Sequence, residues 1–249
     1  MSTGTVSSGV PPVLSIVVPA WNEAGWLPET LAHLQSACAA LRHGWELVVV
    51  DNASTDDTAA LAAAAGARVV HAPARGIARA RNAGAAAARG RWLLFVDADT
   101  RPPEALLLRT EAALAGGGLC GGGAVLDFDG LAHPAYRLGT RLWNRLSRAA
   151  RLAAGCYLFA TREAFEGVGG FNPSLYAGEE VFLSRRLRRW ARAHGQHFEV
   201  LDGPPVLTSG RKAQWFSPWQ HALVVLTLLV FPLALRSRRL SWFWYRRPK

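Results

Sequence analysis

The sequence predicts an α/β fold in which a central, mostly parallel sheet is flanked by helices on both faces. Two observations carry that expectation. Short apolar, β-branched runs recur at 14–18, 46–50, 68–71 and 92–96, and each is followed by apolar residues at helical spacing. Strands that are apolar throughout belong to sheets buried on both faces, and strand–helix alternation is the pattern of parallel crossover units.

The first run stops at Pro19, after which Trp26, Leu27, Leu31, Leu34, Cys38 and Leu41 keep helical spacing as far as Gly44. Asp51 stands at the end of the second strand. Ser54 or Asp56 can cap a helix over 58–65, which Gly66 closes. A third strand over 68–71, a helix over 77–89 and a fourth strand over 92–96 deliver Asp97. Beyond Pro102 and Pro103 the character changes. A helix is expected over 104–114, then a Gly-rich stretch over 116–123 that suggests flexibility, a segment at 124–128 and an Arg-studded helix over 136–152. A strand over 155–161 and a helix over 181–192 complete the pattern. The expected organisation is a flexible leader (1–12), one continuous domain (13–210) and a basic, aromatic tail (211–249).

With half of its 249 residues hydrophobic, the chain is long enough for a substantial core and does not read as disordered. The formal net charge is +10, almost all of it from Arg, since Lys occurs only at Lys212 and Lys249. Surface basicity is the plain reading; nucleic acid or anionic lipid headgroups are the sharper ones. Arginines gathered beside an apolar tail favour lipid over nucleic acid. Cys38, Cys120 and Cys156 are scattered without CxxC spacing, which suits neither a disulfide framework nor a zinc site and fits a reducing, cytosolic compartment. Residues 1–12 lack the basic and apolar regions of a secretory signal.

In open parallel sheets, ligands sit beyond the C-terminal ends of the strands. Here three strands end in Pro19-Ala20-Trp21-Asn22-Glu23, Asp51-Asn52-Ala53-Ser54 and Asp97-Ala98-Asp99. A lone Asp after a strand is usually a turn or cap residue, but several on one edge mark a polar site. Asp97 and Asp99, two residues apart, can approach one divalent cation, and hard oxygens with open positions suit Mg²⁺ or Mn²⁺ bridging a diphosphate. As a bare pattern this is common by chance.

The pattern has company. Ser15-Ile16-Val17-Val18-Pro19-Ala20-Trp21-Asn22-Glu23, Val48-Val49-Val50-Asp51-Asn52-Ala53-Ser54-Thr55-Asp56, Arg81-Asn82-Ala83-Gly84, Phe95-Val96-Asp97-Ala98-Asp99, and Val168-Gly169-Gly170-Phe171 followed by Gly178-Glu179-Glu180 occur in that order. Over roughly 13–195 the chain resembles the family 2 glycosyltransferases of the GT-A fold, inverting enzymes that use nucleotide sugars. The resemblance implies that Pro19, Ala20, Asn22 and Glu23 shape the pocket under the nucleotide and that Asp51 accepts a hydrogen bond from the base edge. A uridine nucleotide fits such an acceptor, although guanine can also donate. Arg81 and Asn82 would hold the sugar nucleotide, with a surface role as the alternative for Arg81. Asp97 would lie near the ribose, Ala98 would be a further nucleotide-sugar-binding position, and Asp99, with Asp97, would form the metal site. The family's base is often the Asp of a Glu-Asp pair. Here the pair is Glu179-Glu180, so Glu180 takes the base position and Glu179 is the alternative; an acidic pair also suits a helix N-terminus.

Residues 222–235 are apolar except for Thr227, a run of 14 residues. As a helix it would be about 21 Å long, short of the roughly 30 Å hydrocarbon core. Trp215, Phe216 and Trp219 precede it, and Trp242, Phe243, Trp244 and Tyr245 follow, like interfacial anchors. A helix lying in the interface keeps Arg236, Arg238, Arg239, Arg246 and Arg247 on the cytosolic headgroups. Arg211-Lys212-Ala213-Gln214-Trp215 loosely resembles an element of processive family members, with Gln214 in place of Arg; a basic membrane flank is the preferred reading, contact of Arg211 with a diphosphate the alternative. The expected function is therefore metal-dependent sugar transfer from a nucleotide diphosphate to a hydroxyl of a lipid, lipid-linked or glycan acceptor at the cytoplasmic membrane face. A polyprenyl phosphate acceptor is one alternative. A non-catalytic nucleotide-sugar-binding scaffold is another, opposed by the intact Asp97 and Asp99. A nucleotidyltransferase is disfavoured because no Gly-rich, basic triphosphate loop follows the first strand.

Overall fold

The computed structural model describes residues 11–130 and 134–211; the membrane reading of 212–249 lies outside the described residues. The first half runs β1 (Leu14–Ala20), α1 (Leu27–Cys38), β2 (Trp45–Asp51), α2 (Thr58–Ala64), β3 (Arg68–His71), α3 (Ile77–Ala87) and β4 (Trp92–Val96). β1 pairs in parallel with β2 and β4, and β2 pairs in parallel with β3. Every position of β1 and β4 is buried. The unbroken apolar runs follow from that two-sided cover. Ile16 and Val18 share a core cluster with Leu31 and Leu34 of α1, whereas Val17 and Phe95 share the other with Ala80 and Ala85 of α3.

The second half adds β5 (Thr100–Arg101), α4 (Glu104–Ala115), β6 (Leu119–Asp129), α5 (Pro134–Ala150), β7 (Tyr157–Thr161), α6 (Arg162–Gly167), α7 (Glu179–Ala193) and β8 (His197–Ser209). The eight strands form one sheet in the order β3-β2-β1-β4-β7-β6-β8-β5. β7 is antiparallel to both β4 and β6, and β5 is antiparallel to β8, so the sheet is mixed and only its first half is uniformly parallel.

Two features depart from the sequence expectation. The Gly-rich stretch is not a flexible loop: 119–123 is the buried start of β6. A Cβ on Gly121 would lie 2.6 Å from Phe159 O, one on Gly123 would lie 2.6 Å from Ala153 Cβ, and one on Gly122 would strike Glu199 O. Glycine is there because neighbouring backbone approaches too closely for anything larger. The second is β8, a strand the sequence expectation did not include and one that carries Gly203, Pro204 and Pro205 within it. Ala124 pairs with Leu201 and Leu126 with Val206, so the intervening residues of β8 form an irregularity and the strand resumes beyond it.

Gly84 is a second close approach, and it sets α3 against the sheet. A Cβ there would stand 2.8 Å from Val50 Cγ2 and nearer still to Val17 Cγ1. Gly84→Ala is expected to destabilise the fold by about 1–3 kcal/mol through overpacking, measurable by urea unfolding; a neutral result would mean that α3 can move off the sheet freely.

Candidate active site

The C-terminal ends of β1, β2 and β4 lie side by side, and the turns after them are stitched together by their own polar groups. Asn52 N donates to Ala20 O at 2.8 Å, which locks the second turn to the first just past buried Pro19 and Ala20. Asn22 adopts φ 51°, accepts from Thr55 N at 2.8 Å and donates its backbone N–H to Ser54 Oγ at 3.0 Å. Glu23 N donates to Thr58 Oγ1 at 2.8 Å. Asp51, mostly buried, accepts from Ser54 N at 3.1 Å and faces His71 Nδ1 at 3.2 Å. Asn52 was not singled out from the sequence as a site residue. Its buried amide donates to Ala72 O and Ala74 O and accepts from Gly76 N, which fixes the approach to α3.

α3 carries Arg81 into the middle of the site. The side chain is 3% exposed, so the surface alternative for Arg81 is corrected. Its guanidinium donates to Glu179 Oε1 at 2.6 Å, Asp97 Oδ1 at 2.8 Å and Gly155 O at 2.7 Å, and it lies 5.3 Å from the centre of the Phe171 ring. Burial opposes its charge, but Asp97, Glu179 and Glu180 outweigh burial and hold Arg81 above the usual arginine value. Asn82, next along, donates to Phe171 O at 2.8 Å and accepts from Phe171 N at 2.9 Å. Its amide thus braces α3 against the Gly169-Gly170-Phe171 turn, where Gly170 has φ 63°.

Asp99 follows β4 by three residues and is steadied by Ser209 N, which donates to Asp99 O at 3.1 Å. Its Oδ2 stands 3.0 Å from Arg211 Nη2, and Arg211 also makes two 2.8 Å hydrogen bonds to the carboxylate of Glu23. Arg211, assigned to the tail from sequence, is therefore part of the site edge. Ala98, between the two aspartates, is buried and points away from solvent. Asp97 and Asp99 side chains are 33% and 14% exposed, and each sets one carboxylate oxygen against an arginine. No group of three metal-ligating side chains occurs among the described residues. Two hard carboxylates fit Mg²⁺ or Mn²⁺, ions that keep water and phosphate oxygens in their remaining positions.

Glu179 and Glu180 open α7. Glu179 is buried and engaged by Arg81, whereas Glu180 is half-buried and makes no ion pair among the described residues. A Cβ on Gly155 would lie 3.5 Å from Glu180 Cδ and 3.4 Å from an Arg81 nitrogen, so Glu180 borders the same cluster. Its carboxyl is pushed up to about 8, first by burial and then by the charge of Glu179, against the pull of Arg81. Glu179 is also raised, chiefly by burial. A helix N-terminus favours ionised carboxylates, but by only about 0.3–1 kcal/mol at exposed sites; burial wins here.

Comparison with known proteins places this geometry. The family model described as "Glycosyl transferase family 2" matches residues 15–166, which include the strand ends up to Asp99 and stop short of Glu179. An undecaprenyl-phosphate 4-deoxy-4-formamido-L-arabinose transferase of Pseudomonas fluorescens is 40% identical over 100 residues, covering 36% of this chain and 29% of that protein. The chain thus matches under a third of that relative's length. A mannosyltransferase of Pyrobaculum calidifontis, solved with GDP-Man and Mn²⁺, aligns at TM-score 0.67 and 20% identity over 92% of this chain and 64% of that one. A glucosyl-3-phosphoglycerate synthase of Mycobacterium tuberculosis, solved with Mn²⁺, UDP and glucosyl-3-phosphoglycerate, aligns at 0.62 and 23% over 90% and 80%. At such identities the likeness to the solved structures establishes the shared fold. Among the described residues, no helix is long and apolar enough to cross a membrane.

Proposed function

The chain belongs to glycosyl transferase family 2, and from that premise we propose that it is an inverting, divalent-metal-dependent transferase. It takes sugar from a nucleotide diphosphate, a UDP-sugar by preference, and delivers it to a hydroxyl of a lipid, lipid-linked or glycan acceptor at the cytoplasmic membrane face. The observation that carries the reading is the buried Arg81. It ties Asp97, on the donor side, to Glu179 at the start of α7 and leaves Glu180 beside the cluster.

In this reading Asp51 accepts from the nucleotide base, and Asp97 lies near the ribose. Asp99, with Asp97, holds Mg²⁺ or Mn²⁺. The bound cation supplies charge neutralisation at the leaving diphosphate. Arg211, already beside Asp99, offers guanidinium donors to the same oxygens. Glu180 removes the acceptor hydroxyl's proton as its oxygen bonds to the anomeric carbon, on the face opposite the departing diphosphate, so the configuration inverts. Arg81 orients Glu179 and works against the upward push of burial on its carboxyl, and so sets the electrostatic surroundings of Glu180.

A second reading, transfer to a polyprenyl phosphate, is supported by the acceptor named for the P. fluorescens relative. Such an acceptor is already anionic and has no proton for Glu180 to take.

Thermal unfolding with UDP and Mn²⁺ tests the donor site. At a hundredfold excess over Kd, ligand should stabilise the parent by about 2.7 kcal/mol, and Asp99→Ala should lose most of that gain together with metal-stimulated UDP release. Equal stabilisation of Asp99→Ala, or none of the parent by any nucleotide, would sink the proposal.

A further inference from the structure

α5 is amphipathic the wrong way round for a helix that serves only the core. Its inner face is largely polar, with Trp143 the apolar residue that packs against the core. Thr140 and Ser147 are its buried residues, Asn144 makes two hydrogen bonds to the Leu126 backbone, and Ser147 Oγ donates to Leu152 O at 2.6 Å. Its outer face is apolar. Leu138, Leu142 and Leu146, spaced four apart on one stripe, are 59%, 54% and 55% exposed. They are three of the five large exposed hydrophobics among the described residues, so the exposure is concentrated rather than scattered. Each leucine follows an arginine, in Arg137-Leu138, Arg141-Leu142 and Arg145-Leu146, and α5 contains no acidic residue. Arg148 pairs with Asp202 at 3.6 Å, whereas Arg137, Arg141 and Arg145 have no carboxylate partner among the described residues.

We infer that the outer face of α5 docks on an anionic lipid bilayer. Charge selects this occupant. The segment 212–249 contains no Asp or Glu and several Arg, and a second copy of a chain with net charge +10 would bring like charges together. A surface of anionic headgroups over acyl chains matches both rows of α5: leucines enter the headgroup–acyl boundary, and guanidinium groups meet phosphates. Arg137 and Arg141 also line, together with Asp127, a cavity of about 760 Å³ between α5 and the end of β6. The docked face would lie close to the site, because α5 ends five residues before Gly155, whose carbonyl holds Arg81. The inference stands on the surface of α5 and does not rest on the donor chemistry.

The test uses the full chain with Leu142→Cys carrying an environment-sensitive fluorophore; Cys38, Cys120 and Cys156 are buried, which directs the label to position 142. Vesicles of phosphatidylcholine with phosphatidylglycerol should shift its emission to the blue and expose it to quenching by spin-labelled lipid. Phosphatidylcholine alone should do so weakly, and salt should oppose the shift. Adding Arg137→Gln, Arg141→Gln and Arg145→Gln should weaken association about a hundredfold, leaving little shift at the lipid concentration that half-saturates the parent, with circular dichroism unchanged. A probe insensitive to both vesicles, or a shift that survives loss of the arginines, would overturn the inference. So would blue emission before lipid is added, whether dependent on protein concentration (a second copy) or independent of it (the chain's own segment).

Discussion

Replacing Arg81 with methionine is expected to destabilise the protein by about 3–5 kcal/mol at neutral or higher pH, the usual effect of stripping a buried charge of its partner. Methionine fills much of the same volume but offers no donor. The two carboxylates it abandons differ in their recourse. Asp97 is 33% exposed and can turn to water, while Glu179 is 5% exposed and cannot. The loss therefore falls on Glu179. Burial already raises that carboxyl, and Arg81 is among the groups that lower it, so the substitution pushes it higher still. A carboxyl whose folded value lies above its unfolded one penalises the fold above the folded value, and the penalty fades as pH falls through it. The deficit of Arg81→Met in urea unfolding should accordingly be larger at alkaline than at acidic pH. A deficit below about 1 kcal/mol at pH 8, or one that ignores pH, would show that the cluster does not depend on this guanidinium.

Glu180→Gln should lower transfer to a hydroxyl acceptor by about 10²–10⁴-fold, the range for loss of a positioned general base. The parent should also show a rate that climbs about tenfold per pH unit on the acid side and levels above its carboxyl value of about 8. Transfer to a polyprenyl phosphate would leave both the profile and the variant nearly flat, so the same experiment separates the two acceptor classes. Stability supplies the control. Because Glu180 is raised from 4.5 to about 8 on folding, ionising it works against the fold as pH rises through that window. At pH 9 Glu180→Gln should be at least as stable as the parent, and an inactive but less stable variant would point to structural damage instead.

Much of the first half of the sheet was legible in the sequence. Apolar runs such as 14–18 and 46–50 declared themselves because burial on both faces removes the alternation of a half-exposed strand. The polar residues that end them were legible because a strand end is a local event. The second half of the sheet was harder to read. The start of β6 looked like a flexible glycine tract, since close backbone approach leaves no mark except the absence of side chains, and β8, which runs through Pro204 and Pro205, formed no part of the expectation. α5 announced itself as Arg-rich, yet which of its faces looked outward depended on what β6 needed from Asn144.

By itself the sequence determined the alternation of strands and helices, the family motifs and the edge where Asp51, Asp97 and Asp99 would gather, because each depends on residues near one another in the chain. Only the tertiary structure decided that Arg81 is buried, that Glu179 rather than Glu180 is its partner, and that Arg211 reaches Glu23 across 188 positions. Sequence position cannot distinguish two adjacent glutamates. Low-dielectric packing does, by setting one against a guanidinium and raising the proton affinity of its neighbour.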